Sequence, residues 1–119
     1  MRRSVVKNSG YHLHLLRHLR NAVLVETSTG EESFRVFVDR GLEALSGLAP
    51  LLQKEQARLT GSTILPGGFT RIQQAIGTAR ENQAGAAYVS AFVQRIKASG
   101  RVQEAIDAHD VRGVNVGAG

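Results

Sequence analysis

The chain contains no cysteine, which excludes disulfide bonds and thiolate metal sites. It also has no tryptophan, two prolines and only 5% aromatic residues, although 42% of its residues are apolar. No apolar run approaches the length that spans a bilayer, and no apolar segment follows the two N-terminal arginines. We therefore expect one globular domain and, because the sequence as written has no signal peptide, a cytoplasmic location.

The net charge of +5 comes from the N-terminal end of the sequence. Residues 1–20 contain five basic residues and no acidic one, whereas the other 99 residues carry ten of each sign. A local basic segment can attract an anion. A nucleic-acid surface is better indicated by basic residues spread along a face with aromatic residues between them, and that pattern is absent. On this basis we expect no nucleic-acid partner.

Short β-branched segments alternate with amphipathic segments along the chain, which predicts βαβ units. Such units form a mainly parallel sheet with helices on both faces, so we predict a three-layer α/β fold of about four to five strands. Ser28 and Glu31 form a capping-box pattern, and Gly41 is a natural residue to follow a helix. The predicted strands are 3–7, 22–27, 42–48, 62–65 and the extended segment 69–78, and the predicted helices are 10–20, the segment between Ser28 and Gly41, 50–59, 84–98 and 101–109.

Asn8-Ser9-Gly10 joins the first predicted strand to the first predicted helix. In α/β sheets, ligands bind beyond the carboxyl ends of strands and close to helix N-termini. Ser9 can cap the helix and offer a hydroxyl, while Gly10 allows a ligand to approach the backbone. An ordinary strand-to-helix turn explains the same tripeptide, which matches neither a P-loop nor a dinucleotide-binding fingerprint.

Three of the four histidines lie in the first predicted helix. His14 and His18 are four residues apart, a spacing that can hold Zn²⁺, but no third ligand lies nearby in the sequence. His12 falls on the apolar side, where it caps or packs. No nucleophile motif or carboxylate pair is recognisable, so we expect no catalytic residues, no metal and no cofactor.

Gln73 and Gln74 are adjacent in an extended segment that is flanked by apolar residues. Neighbouring side chains of a strand point to opposite faces, so one of the two amides needs a polar partner or water. A half-buried amide with a satisfied hydrogen bond fits this pattern, and so does a contact to a ligand or a hinge.

In order and spacing, five segments resemble the C-terminal half of bacterial family 3 solute-binding proteins, the periplasmic receptors of ABC importers. These segments are SVVKNSGYHLHLLRHL, AVLVET, FRVFVDRGLEALSGL, FTRIQQAIGT and YVSAFVQRIKASGRVQEAIDAHDV, and together they extend from Arg3 to Val111. The resemblance implies one lobe of a type 2 periplasmic-binding fold. The implied parts are 3–72 as a second-lobe-like α/β domain, 73–78 as a hinge-like strand, 79–111 as C-terminal helices derived from the first lobe, and 112–119 as a flexible tail.

The resemblance implies weak binding of a small polar or anionic solute, without enzymatic activity. In the family, the turn that Lys7, Ser9 and Gly10 match holds the carboxylate of the ligand. Gly47 stands where amino-acid receptors carry an aspartate for the ammonium group of the ligand, which puts an amino-acid ligand in doubt. The implied ligand-binding residues are Lys7, Ser9, Gly10, Tyr11, Gly47, Gln73 and Gln74.

The resemblance also implies a periplasmic location and an ABC permease as the partner of a full-length relative. It further implies that the opening half of the first lobe is missing, so Tyr88, Phe92 and Ile96 need another apolar surface. We therefore predict a homodimer that forms through the C-terminal helices, with helix exchange as one possible form. The alternative is a cytoplasmic interaction protein that has lost solute binding and meets an acidic partner or nucleic acid through its basic N-terminal face.

Overall fold

A computed structural model describes residues 1–118, which divide into two compact units. The first unit is Met1–Ile72 and is α/β, and the second begins at Gln73 and contains two helices. The elements are β1 (Arg2–Val6), α1 (Gly10–His18), β2 (Val23–Thr27), α2 (Gly30–Asp39), β3 (Ala44–Leu45), α3 (Ala49–Gln56), α4 (Gln83–Ala98) and α5 (Arg101–Ala108).

The sheet of the first unit has the order β2-β1-β3, and β1 pairs with both neighbours in parallel. Helix α1 connects β1 to β2, its neighbour on one side. Helix α2 then connects β2 to β3, which lies on the other side of β1. Because such crossovers are right-handed in nearly all proteins, the two helices cover opposite faces. Accordingly, Val5 packs against Tyr11 and Leu15 of α1, and Ser4, which points to the other face, is also fully buried. The predicted α/β class with a parallel sheet is confirmed.

Local capping interactions fix both ends of α2. The sequence predicts the C-terminal end correctly and places the N-cap one residue too early. The N-cap is Thr29 and not the predicted Ser28, because Thr29 Oγ1 accepts the N–H of Glu32 at 3.1 Å. The Glu32 carboxylate in turn accepts the backbone N–H of Ser28 at 2.7 Å. At the other end the prediction for Gly41 is confirmed, since this residue has a left-handed φ of 56° directly after the C-cap.

The prediction of four to five strands is wrong, because the described residues form three. The predicted strand 42–48 is reduced to Ala44–Leu45, since Leu48 already caps α3. Segments 62–65 and 69–78 are not strands, and residues 62–78 make no backbone–backbone hydrogen bond within the described chain. A strand needs a neighbouring edge, and these segments pair neither with the short β3 nor with the outer edge of β2.

The second unit consists of α4 and α5, joined at Gly100, whose φ is 81°. Both helices lie within a residue of their predicted bounds, but neither has a buried residue. Tyr88 is 70% exposed, so much of the apolar stripe of α4 remains uncovered. Beyond α5, residues 112–118 are neither helix nor strand, and Gly119, the end of the predicted tail 112–119, lies outside the described residues.

A helix can cross a membrane only if it is long enough and apolar enough. The longest helix, α4, has 16 residues. Within residues 1–118, no helix combines the length and the apolar character that crossing a bilayer requires.

An ion pair joins the beginnings of β1 and β3. The backbone N–H of Arg2 donates to Glu43 Oε2 at 2.7 Å, and its guanidinium contacts the same carboxylate. The Arg2 backbone N–H, the Glu43 backbone N–H and the Arg2 side chain, in this order of importance, lower the pKa of Glu43 to about 2. The ionised carboxylate therefore favours the folded state.

We expect Glu43→Gln to destabilise the protein in a pH-dependent way. The pKa of Glu43 is lower in the folded state, so its contribution is complete above an unfolded-state pKa near 4.5 and is lost as the pH falls toward about 2. Urea unfolding across this range should show a difference between wild type and variant that shrinks on acidification. Glu81→Gln, at an exposed position, is the control and should show a smaller change with pH. A difference for Glu43→Gln that is equal at pH 6 and at the acid end of the range would contradict the assignment.

Candidate functional site

The strand order brings the carboxyl ends of β1 and β3 side by side, at the point where the chain reverses its direction across the sheet. Ligands of open α/β sheets bind at such a point. The turn after β1 contains Lys7 and Ser9, and α1 starts with Gly10 and Tyr11. Gly47 follows β3 at the same end of the sheet. These five residues define what we call the carboxyl edge.

The N-terminus of α1 is the most polar part of the carboxyl edge. The Ser9 hydroxyl caps the helix by accepting the N–H of His12 at 3.1 Å, and it donates to the carbonyl oxygen of Val6 at 2.7 Å. The backbone N–H groups of Gly10 and Tyr11 have no acceptor among the described residues. Because a helix N-terminus carries a partial positive charge, these two amides, rather than the Ser9 hydroxyl, are the donors that an anion could use.

The two glycines of the carboxyl edge are packed against side chains of the same unit. A Cβ on Gly10 would lie 3.2 Å from Cδ1 of Ile72, and one on Gly47 would lie 3.2 Å from Cδ2 of Leu52. Neither glycine has a left-handed φ. A Cβ at either position would therefore require a shift of a few tenths of an ångström in the flexible side chain of Ile72 or Leu52.

Lys7 and His12 share one carboxylate, that of Glu26. Lys7 Nζ lies 3.7 Å from Glu26 Oε2, and His12 Nε2 lies 3.0 Å from Glu26 Oε1. His12 Nδ1 accepts the backbone N–H of Asn8 at 2.9 Å, so the hydrogen-bond pattern assigns the ring hydrogen of a neutral His12 to Nε2. His12 is only 2% exposed and both of its nitrogens are occupied. It therefore holds the turn after β1 in place and is not free to act as a base.

Glu26 is a residue of this site that the sequence analysis does not single out. Its register partner on β1 is Val5, whose side chain faces α1. In a parallel sheet, paired residues point to the same face, so Glu26 has to face α1 as well. Alternation along β2 combined with the β1–β2 register would therefore have predicted the contact to His12.

The other histidines of α1 interact with each other. The rings of His14 and His18 are stacked with centroids 4.1 Å apart, and His18 Nδ1 lies 2.8 Å from the carbonyl oxygen of His14. In the part of the chain that the structure describes, no group of three histidine, aspartate or glutamate side chains is arranged to hold a metal ion. Stacking on the helix surface accounts for the four-residue spacing of His14 and His18.

Gln73 and Gln74 begin the second unit. Both are exposed and lie in a segment that is neither strand nor helix. Neighbouring side chains point to opposite faces only in a strand, so the predicted separation of Gln73 and Gln74 onto two faces is not observed. Their assignment to a hinge or to a ligand stays a prediction of the family resemblance.

Comparison of the chain with protein-family models, curated proteins and solved structures gives no match. The resemblance to family 3 solute-binding proteins therefore remains a prediction that rests on the order of short segments. The periplasmic location, the permease partner and the roles of single residues that it implies have the same standing.

We expect His12→Ala to destabilise the first unit by about 1–3 kcal/mol, because it removes the acceptor of the Asn8 N–H and a partner of Glu26. His18→Ala on the same helix is the matched control, since His18 is exposed, and its effect should stay within about 0.5 kcal/mol. Urea unfolding at neutral pH measures both. Equal effects of the two substitutions would show that the buried contacts of His12 contribute nothing to stability.

Proposed function

We propose that this chain is a solute-binding module without enzymatic activity, similar to one lobe of a type 2 periplasmic binding protein. Its site is the carboxyl edge, and its ligand is a small anionic solute. One observation carries the proposal: α1 presents the backbone N–H groups of Gly10 and Tyr11, without an acceptor, at the switch point of a parallel sheet.

Two further groups near this edge support an anionic ligand. The Ser46 side chain is 4% exposed, and its hydroxyl has no hydrogen-bond partner among the described residues. It directly precedes Gly47, and the Ser46 N–H continues the sheet by donating to the carbonyl oxygen of Ser4. The Lys7 side chain is 61% exposed, so its contact to Glu26 can be exchanged for one to a ligand at small cost.

Two features of the edge predict its affinity and selectivity. Tight small-molecule sites enclose most of the ligand surface, whereas an open edge leaves one side of the ligand in water. Affinity should therefore be weak, with a Kd of about 1 mM. Gly47 offers no carboxylate for an ammonium group, so a ligand does not gain from carrying one.

Binding can be tested by titrating the full chain with glutarate and glutamate and recording backbone amide shifts. We expect glutarate to bind at least as well as glutamate and to shift the amides of Gly10 and Tyr11. Gly10→Pro removes one N–H donor at a helix position that tolerates proline, while Gly10→Ala keeps this donor and adds the same carbon beside Ile72. Glutarate should bind Gly10→Ala several-fold more tightly than Gly10→Pro.

Two outcomes would refute this proposal. One is the absence of a saturable shift at Gly10 and Tyr11 with either compound. The other is equal binding by the proline and alanine variants. If both outcomes are observed, salt-dependent binding of duplex DNA by the wild-type chain would support the alternative, an interaction protein with a basic N-terminal face.

The second unit supports association with another copy of the chain. Neither α4 nor α5 has a buried residue, and Tyr88 and Phe92 are exposed. A helix pair of this size gains most of its stability from burying an apolar face. A second copy offers the same face, and a symmetric dimer through α4 and α5 would bury both.

We expect light scattering of the wild type to give the mass of a dimer and that of Tyr88→Glu to move toward a monomer. Leu65→Glu is the matched control, since Leu65 is 74% exposed in the first unit, and it should leave the dimer unchanged. A wild-type monomer at high concentration would exclude this association.

A further inference from the structure

An open cleft of about 300 Å³ lies on the first unit, and none of the residues that define the carboxyl edge lines it. One wall is Arg3, near the amino end of β1, and the rest is the loop of residues 65–69. This volume is at the lower end of the range for small-molecule sites. A ligand of about the size of a single aromatic ring would fit.

The Arg3 side chain forms no ion pair with a described residue. Its Nε is fully buried and has no hydrogen-bond acceptor among the described residues, in contrast to Arg2, which is bound to Glu43. Its one aromatic contact is to Phe69, with Cζ 5.9 Å from the ring centroid. A ring attracts a cation but supplies no lone pair for the five N–H donors of a guanidinium. Arg3 therefore brings a positive charge to the cleft, and its buried Nε–H is left without an acceptor among the described residues.

The loop contributes apolar walls and backbone donors. Leu65, Pro66 and Phe69 line the cleft with apolar surface. The N–H groups of Gly67 and Gly68 make no backbone hydrogen bond within the described chain, and Gly67 has a left-handed φ of 73°. The Phe69 ring also lies 5.8 Å from the ring of His14, which ties the loop to α1.

We propose that Arg3 and the loop 65–69 form a second binding site, for the carboxylate of a small ligand with an aromatic or aliphatic body. The carboxylate accepts hydrogen bonds from the Arg3 guanidinium, which matches two carboxylate oxygens geometrically. The apolar body of the ligand packs on Phe69 and Pro66. A single guanidinium between apolar walls fits one negative charge, and the site uses none of the residues of the carboxyl edge.

Benzoate and benzamide are the probes for this site, because they have the same shape and differ in charge. In an NMR titration of the full chain, we expect benzoate to shift the amides of Gly67, Gly68 and Phe69 and the Nε–H signal of Arg3. Benzamide should cause no saturable shift there. Arg3→Gln should weaken benzoate binding at least about tenfold, since it removes the charge-assisted bonds. Arg20→Gln, which removes the same charge from an exposed position, should bind benzoate like the wild type.

Arg3→Lys is the second variant, for the case in which Arg3→Gln does not fold. It keeps the charge and loses the planar fork, and we expect it to bind benzoate several-fold more weakly than the wild type. Unchanged benzoate binding in either Arg3 variant would overturn the proposal. Benzoate shifts at Gly10 and Tyr11 in place of the loop would do the same, since they would assign the compound to the carboxyl edge. Glutarate binding tests the carboxyl edge and benzoate binding tests the cleft. A negative result for one compound therefore refutes one proposed site without affecting the other.

Discussion

The first unit depends on the burial of β1 on both faces and both edges. Ser4 and Val5 are adjacent and both fully buried, so a helix has to cover each face of this strand. The two edges are closed by β2 and β3. This arrangement determines where a ligand can approach, because only the ends of β1 remain open. The carboxyl end leads into the N-terminus of α1, and Arg3, near the amino end, lines the cleft.

The apolar core around β1 is small, and polar contacts between distant segments complement it. Five hydrophobic residues are buried, too few to hold the loops in place by packing alone. Glu43 joins β3 to β1, and Glu26 joins β2 to the turn before α1. Arg58 joins the end of α3 to Glu31 of α2 at 3.2 Å and lies over the ring of Phe34 at 4.5 Å. Exposed ion pairs contribute little individually. Two members of these groups are buried: His12, which contacts Glu26, and Glu55, which pairs with Arg58 at 2.7 Å.

Features that depend on residues close together in the sequence were predicted correctly, whereas features that depend on contacts between distant segments were not. Gly41 and the ends of α4 and α5 were predicted because caps and helical periodicity are decided within a few residues. The strands at 62–65 and 69–78 were predicted wrongly because alternation records which side chains are apolar and not whether a free sheet edge is in reach. Glu26 and the cleft were missed for a related reason. Each depends on residues brought together from separate parts of the chain, His12 with Glu26 and Arg3 with Phe69.

Contacts between distant residues also change how the charge of the basic N-terminal segment is interpreted. In the sequence it is a run of cations without an acid, which suggests a positive face. In the fold, Glu43 comes from 41 residues away to pair with Arg2, and Glu26 pairs with Lys7. Two of the cations are thereby neutralised locally, and the field over β1 is weaker than the composition indicates. Arg3 lies between them without an acidic partner among the described residues and is half-buried beside an apolar loop, whereas Arg17 and Arg20 are exposed. A guanidinium beside apolar walls is suited to an anion with an apolar body, which is the ligand class that we propose for the cleft.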